Sequence, residues 1–184
     1  MYRPEVTFGD ALAVIGTLPS LAPCPTATNM CALVIDLVDK LTIISSEQSV
    51  DFGYSGKVET DFVYALKSNI PWVDWKNPGP HVTLADNLTD TQITNIQEEY
   101  KNRKMVWDSQ SKVNRAIISG LNLAVPCTYR RAVAGAVGTC NYRFIDGPKV
   151  ILQGLQDNNR QMTPAEKTKM EADWSAVWNP SKPI

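Results

Sequence analysis

The sequence predicts a mostly α-helical fold: five or six helices joined by long proline-rich loops, with at most one small β-hairpin. Three observations carry this. Apolar residues recur at three- and four-residue spacing in several stretches. Two hydroxyl-x-x-Glu/Gln capping boxes, Thr89–Gln92 and Thr163–Glu166, stand at the start of such stretches. Twelve prolines outnumber ten glycines and cluster, which marks long irregular connections.

The elements follow in order. Asp10 to Thr17 reads as a short apolar helix stopped by Pro19, with a loop through Pro23 and Pro25 behind it. Thr28 or Asn29 caps a stronger helix reaching Ile43, whose Leu33, Leu37, Val38 and Leu41 form one stripe opposite Asp36, Asp39 and Lys40. Residues 45–56 read as a loop and residues 58–68 as a short helix. Between Ile70 and His81 three prolines forbid a regular helix. Trp72 and Trp75 in that loop either pin it to the helices or serve a partner-binding arm. The Thr89 box opens the longest helix, over 92–123, with Ile93, Ile96, Tyr100, Trp107, Val113, Ile117 and Leu121 on its apolar side and a slip in phase near Asp108. Trp107 is expected to be substantially buried. Pro126 ends this helix, because the residue before proline resists helical angles. Residues 127–145 read as a loop or loose hairpin, with Thr128-Tyr129-Arg130 facing Asn141-Tyr142-Arg143. Asp146 and Pro148 open a helix that buries Val150, Ile151, Leu152 and Leu155. The second box opens a last one carrying Met170, Trp174 and Val177.

At 184 residues the chain makes one domain, or a domain with an arm. Hydrophobic residues at 43% and charged residues at 20% exclude a collagen-like or wholly disordered chain. The formal charge of −1 is unevenly spread. Residues 1–90 hold 5 basic against 11 acidic side chains, and residues 91–184 hold 13 against 8. Residues 1–88 are thus expected to form an acidic N-terminal arm with two or three short helices, ahead of a helical region over 89–184. The pI near 5.8 is far from that of a dedicated nucleic-acid domain. No apolar stretch approaches a membrane span, and Glu5 and Asp10 spoil a secretory leader. The expectation is a cytoplasmic chain without a membrane partner, with reduced, mostly buried thiols at Cys24, Cys31, Cys127 and Cys140.

Chemistry is sparse. The cysteine spacings offer no zinc set, and His81 is the one histidine. Gly53-Tyr54-Ser55-Gly56 misses the nucleophile-elbow spacing by one residue, which leaves a hydrolase built on Ser55 and His81 as a remote reading. Gly135-Ala136-Val137-Gly138-Thr139 lacks the length and lysine of a phosphate loop. No catalytic residue, metal ligand or cofactor is assigned. Within 98–143, Lys101, Arg103, Lys104, Lys112, Arg115, Arg130, Arg131 and Arg143 outweigh three acids. They form a basic face suited to weak, non-specific contact with phosphate, and a host helical adaptor or nucleic-acid-binding module could use it.

Residues 100–126 (YKNRKMVWDSQSKVNRAIISGLNLAVP) resemble the Gag polyproteins of copia-type LTR retrotransposons, where a tryptophan opens a helix that ends at proline. Tyr142-Arg143, Asp146-Gly147-Pro148-Lys149-Val150-Ile151-Leu152 and Trp174 to Pro180 (WSAVWNP) continue in matching order. Asp39-Lys40-Leu41, Ser46-Glu47-Gln48-Ser49, Asp51-Phe52-Gly53-Tyr54-Ser55-Gly56 and Pro71-Trp72 resemble the arm that precedes the capsid-like helices. The resemblance implies the front portion of a non-enzymatic structural protein that self-associates and packages RNA. Trp72, Trp75, Trp107, Trp174 and Trp178 would then be its structural or interaction residues, with itself and single-stranded RNA as partners. The later capsid half and the Cys-Cys-His-Cys knuckle do not appear, and Cys127 and Cys140 stand where basic or variable residues are expected.

Overall fold

The computed structural model describes residues 5–22, 25–80, 88–127, 129–130 and 147–160. Among these, five α-helices and one 3₁₀ turn form, with no strand. Helix α1 (Phe8–Ile15) begins two residues before the sequence reading, because the Thr7 hydroxyl accepts from the Asp10 amide and satisfies a free helix donor. Helix α2 (Ala27–Ile43) is capped by Thr26. Asn29, expected as a cap, is instead the partner three residues in, returning a bond to the Thr26 amide at 3.2 Å. Helix α3 (Asp61–Ser68) is capped by Thr60 and closed by Asn69 in the left-handed region at φ 60°.

Helix α4 (Asp90–Ala124) has 35 residues and is the longest described element. Both bonds of the Thr89–Gln92 box are made, and the helix stops at Val125, just before Pro126. Its burial is confined to the second half, from Ser109 through Ala124. The first five turns project beyond the core, so Ile93, Ile96 and Tyr100 are half-covered. Trp107 is likewise half-buried, which corrects the expectation of substantial burial. Tyr129 and Arg130 both donate their amides to the Pro126 carbonyl, a helical turn where a loop or loose hairpin was expected. Helix α5 (Pro148–Arg160), whose expected cap Asp146 lies outside the described residues, starts at Pro148, which the sequence reading placed in its first turn. It buries Ile151, Leu152 and Leu155, but Val150 points to solvent at 62% exposure. The stripe at 151, 152 and 155 occupies one face and leaves 150 off it.

One hydrophobic core joins these helices. α1 packs on α4 and on α2, and α5 closes against α2 and α4. Ala11 and Ile15 meet Leu33, Leu37, Leu41, Val113, Ile117 and Leu121 in a single buried cluster. The described parts of 1–88 and 89–184 therefore share one core. Cys31 and Cys127 are exposed, which corrects the expectation of buried thiols at those two positions. Cys24, Cys140, His81, the second hairpin arm and the 163–177 helix lie outside the described residues.

Candidate interaction surface

Of the side chains in the loop around Trp72, the indole of Trp72 itself turns inward, while Asp74, Trp75 and Lys76 stay exposed. Trp72 is 7% exposed, edge-on to Tyr64 with centroids 5.3 Å apart and to Tyr54 at 6.0 Å. Its indole N–H donates to Asp74 at 2.9 Å, and the Lys57 ammonium lies 5.7 Å from the ring centroid and also bonds Asp74. Two glycines of the Asp51–Gly56 stretch make this packing fit. Gly53 sits at φ +47° with its α-carbon against the carbonyls that close α2, and Gly56 lies under the indole. Trp72 thus pins the proline-rich loop, as the first of the two readings expected.

Charge in this cluster is paired, with Lys57 buried and its partner Asp74 facing solvent on one side. Burial pushes the Lys57 ammonium below its ordinary value, and Asp74 recovers part of that. Burial also pushes the Asp74 carboxyl up, but the bonds from Lys57 and Trp72 outweigh it and hold the group below the usual carboxylate range. Burial, reinforced by Glu47, raises the Tyr54 phenol. Ser55, the remote nucleophile candidate, is buried and donates to Glu59 at 2.8 Å, and Glu59 in turn pairs with Lys67.

Two glutamines hold the extended segment 73–75. Gln48 accepts from the Val73 amide at 2.9 Å and donates to its carbonyl at 2.6 Å. Gln110 donates to the same carbonyl at 3.0 Å and accepts from the Trp75 amide at 3.0 Å. Sequence reasoning missed both. The slip in phase near Asp108 was the available signal for Gln110, since it falls where a polar pair, Ser109 and Gln110, turns into the interior.

The basic face is largely occupied by the protein itself. Arg103 pairs with Glu99 and Lys112 with Glu5. The Arg115 guanidinium lies 5.3 Å from the Phe8 ring centroid. Arg130 donates to Asn122 at 2.9 Å. Lys101 and Lys104 stand exposed on the projecting part of α4. Arg131, Arg143, Trp174 and Trp178 lie outside the described residues.

Apolar surface, by contrast, is left in water. On α3 Tyr64 enters the core, and Phe62 and Leu66 point away from it at 75% and 71% exposure. Beside α3 an open groove of about 850 Å³ is lined by Val34, Ile35 and Val38 of α2, Val63 of α3 and Val150 of α5. A second groove of about 810 Å³ runs between Trp75–Pro78 and the projecting turns of α4, lined by Ile96, Tyr100 and Val106 with Glu98 and Glu99 at hand. The Tyr100 hydroxyl donates to the Gly79 carbonyl at 2.8 Å and ties the two walls together.

Among the described residues no group of three or more His, Cys, Asp or Glu side chains could hold a metal ion, and no helix is long and apolar enough to cross a membrane. Comparison of the chain with protein-family models, curated proteins and solved structures returns no match.

Proposed function

We propose that this chain is a non-enzymatic assembly protein of the Gag type, which self-associates and binds single-stranded RNA weakly through charge. The observation that carries the reading is the outward face of α3. Phe62 and Leu66 are i, i+4 neighbours and form one apolar patch on a helix already anchored by Tyr64. Contiguous exposed apolar surface of this kind marks protein contact sites. A separate open groove, lined in part by Val63 of the same helix, adds further exposed apolar surface.

RNA binding is the minor part of the proposal. With Arg103 and Lys112 in ion pairs and Arg115 and Arg130 on internal partners, Lys101 and Lys104 remain the described cations best placed to meet phosphate. Affinity on the order of 10⁻⁴ to 10⁻⁶ M at low salt is what such a term supplies.

Size-exclusion chromatography of nuclease-treated protein at two concentrations and two salt levels tests the reading. Higher-order species without nucleic acid support it. A monomer that binds one defined duplex contradicts it and favours a host adaptor or nucleic-acid-binding module.

A further inference from the structure

Helix α3 carries an apolar ridge and one wall of an apolar groove side by side. The ridge is Phe62 and Leu66, which stand about 40° apart around the helix at 3.6 residues per turn. Val63 and Lys67 follow about 100° further round and form the α3 wall of the 850 Å³ groove. Ile35 of α2 and Val150 of α5, both more than half exposed, stand on its other walls, and Leu152 is buried beneath. Tyr64, packed edge-on against Trp72, fixes the rotation of α3 on the core.

This arrangement selects the occupant. Phe62 and Val63 are neighbours on one helix, so the ridge of a copy cannot turn into the groove that its own helix walls. The ridge of another copy can. A two-fold axis beside α3 that lays one ridge in one groove makes the reciprocal contact at the same time, because an isologous interface pairs each patch with its counterpart.

Charge around both features permits the contact. Lys67 pairs with Glu59 and Lys149 with Asp61 inside each copy, so docking strands none of the four. Asp39, on the α2 side of the groove, is exposed and falls at the polar rim, which an interface leaves in water. The groove has 15 lining residues. With the ridge and its flanks they approach the roughly 20 residues a side of a small stable interface. We infer that two copies of this chain pair about a two-fold axis, the Phe62–Leu66 ridge of each seated in the α2–α3–α5 groove of the other. The inference rests on the assembly reading and names the surface that meets the α3 face. The contact closes at two copies, so any growth beyond a pair uses other surfaces.

The test is sedimentation equilibrium of the nuclease-treated full chain with substitutions on the groove walls away from the ridge. Val150→Lys on α5 and Ile35→Lys on α2 should each weaken pairing about tenfold or more, because each sets a charge without a partner into a dehydrated apolar contact. Both positions are exposed, and circular dichroism verifies that the variants fold. A chain carrying Leu66→Glu should also pair poorly, yet mixing it with the Val150→Lys chain should restore pairing. That mixed pair keeps one wild-type ridge in one wild-type groove and sets the introduced acid against the introduced base. Wild-type pairing that survives both groove substitutions overturns the inference and leaves a ridge-on-ridge contact, with the assembly reading intact. A mixture that associates no better than its components overturns it as well. Should Val150→Lys lower the melting temperature and leave pairing unchanged, the groove is filled from within the same copy, and the inference fails. A wild-type mass constant at every concentration overturns the assembly reading itself.

Discussion

A β-carbon built on Gly56 would stand 2.4 Å from Cδ2 of the Trp72 indole, so the ring lies directly on the backbone of the 3₁₀ turn Ser55–Lys57. Real β-carbons do not approach that closely, and Trp72, fixed by Tyr54, Tyr64 and Asp74, has no room to retreat. Gly56→Ala should therefore cost about 1–3 kcal/mol through overpacking. Trp72→Ala should cost about 3–5 kcal/mol through the cavity it leaves. Urea unfolding followed by circular dichroism reads both. A change within about 0.5 kcal/mol for either would show that the loop is not anchored there.

The pH dependence has two limbs with different owners. The Asp74 carboxyl is held below its ordinary value, so its contribution is present above about pH 4, the unfolded value, and is lost as pH falls through the lower folded one. The Tyr54 and Tyr64 phenols are raised, so the folded chain keeps their protons longer, and stability falls as pH climbs above about 10. Lys57, with its folded value lowered, works the other way and raises stability as pH rises toward its ordinary value. Melting curves should show Asp74→Asn flattening the acid limb and Tyr54→Phe flattening the alkaline one. Limbs unchanged by these substitutions would assign the titration elsewhere.

Much of this architecture was readable from local chemistry. The Thr89–Gln92 box, the stop before Pro126 and the α2 stripe are decided by neighbours within a turn or two, and they appear as read. What failed depended on distant partners. Trp107 was assigned to the core because its helix is periodic, yet periodicity cannot say where along a 35-residue helix the rest of the protein stops. Lys112 and Arg115 looked like a basic face because Glu5 and Phe8, which engage them, lie more than a hundred residues away in sequence. The glutamine clamps on Val73 and Trp75 were invisible for the same reason.

Salt dependence separates the two exposed lysines from the occupied cations. Lys101→Ala with Lys104→Ala should reduce the slope of log K against log salt for single-stranded RNA by about 1.4, near 0.7 per phosphate contact, with no change in sequence preference. Arg130→Ala should act mainly on stability, about 1 kcal/mol, through its bond to Asn122. Fluorescence anisotropy across a salt series measures the first, and thermal melting the second. A larger slope change from Arg130 than from the lysine pair would relocate the phosphate contacts.

The capping box at Thr89 supports the projecting turns of α4, where little tertiary packing helps. Thr89→Ala should cost about 1 kcal/mol. The loss should be local, seen as faster amide exchange over the first turns of α4 while Val113 to Leu121 stay protected. Equal loss of protection along the whole helix would mean that the projecting turns and the core open together.

Sedimentation equilibrium of the nuclease-treated chain, over a broad concentration range and beside a Phe62→Glu, Leu66→Glu variant, tests the assembly account most directly. Both positions are more than two-thirds exposed, so the charges should leave the core intact, which circular dichroism verifies. The expected result is a wild-type apparent mass that climbs from 20.4 kDa with concentration and a variant that climbs less at every concentration. A wild-type mass fixed at 20.4 kDa throughout, or a folded variant that associates as well as the wild type, would contradict it.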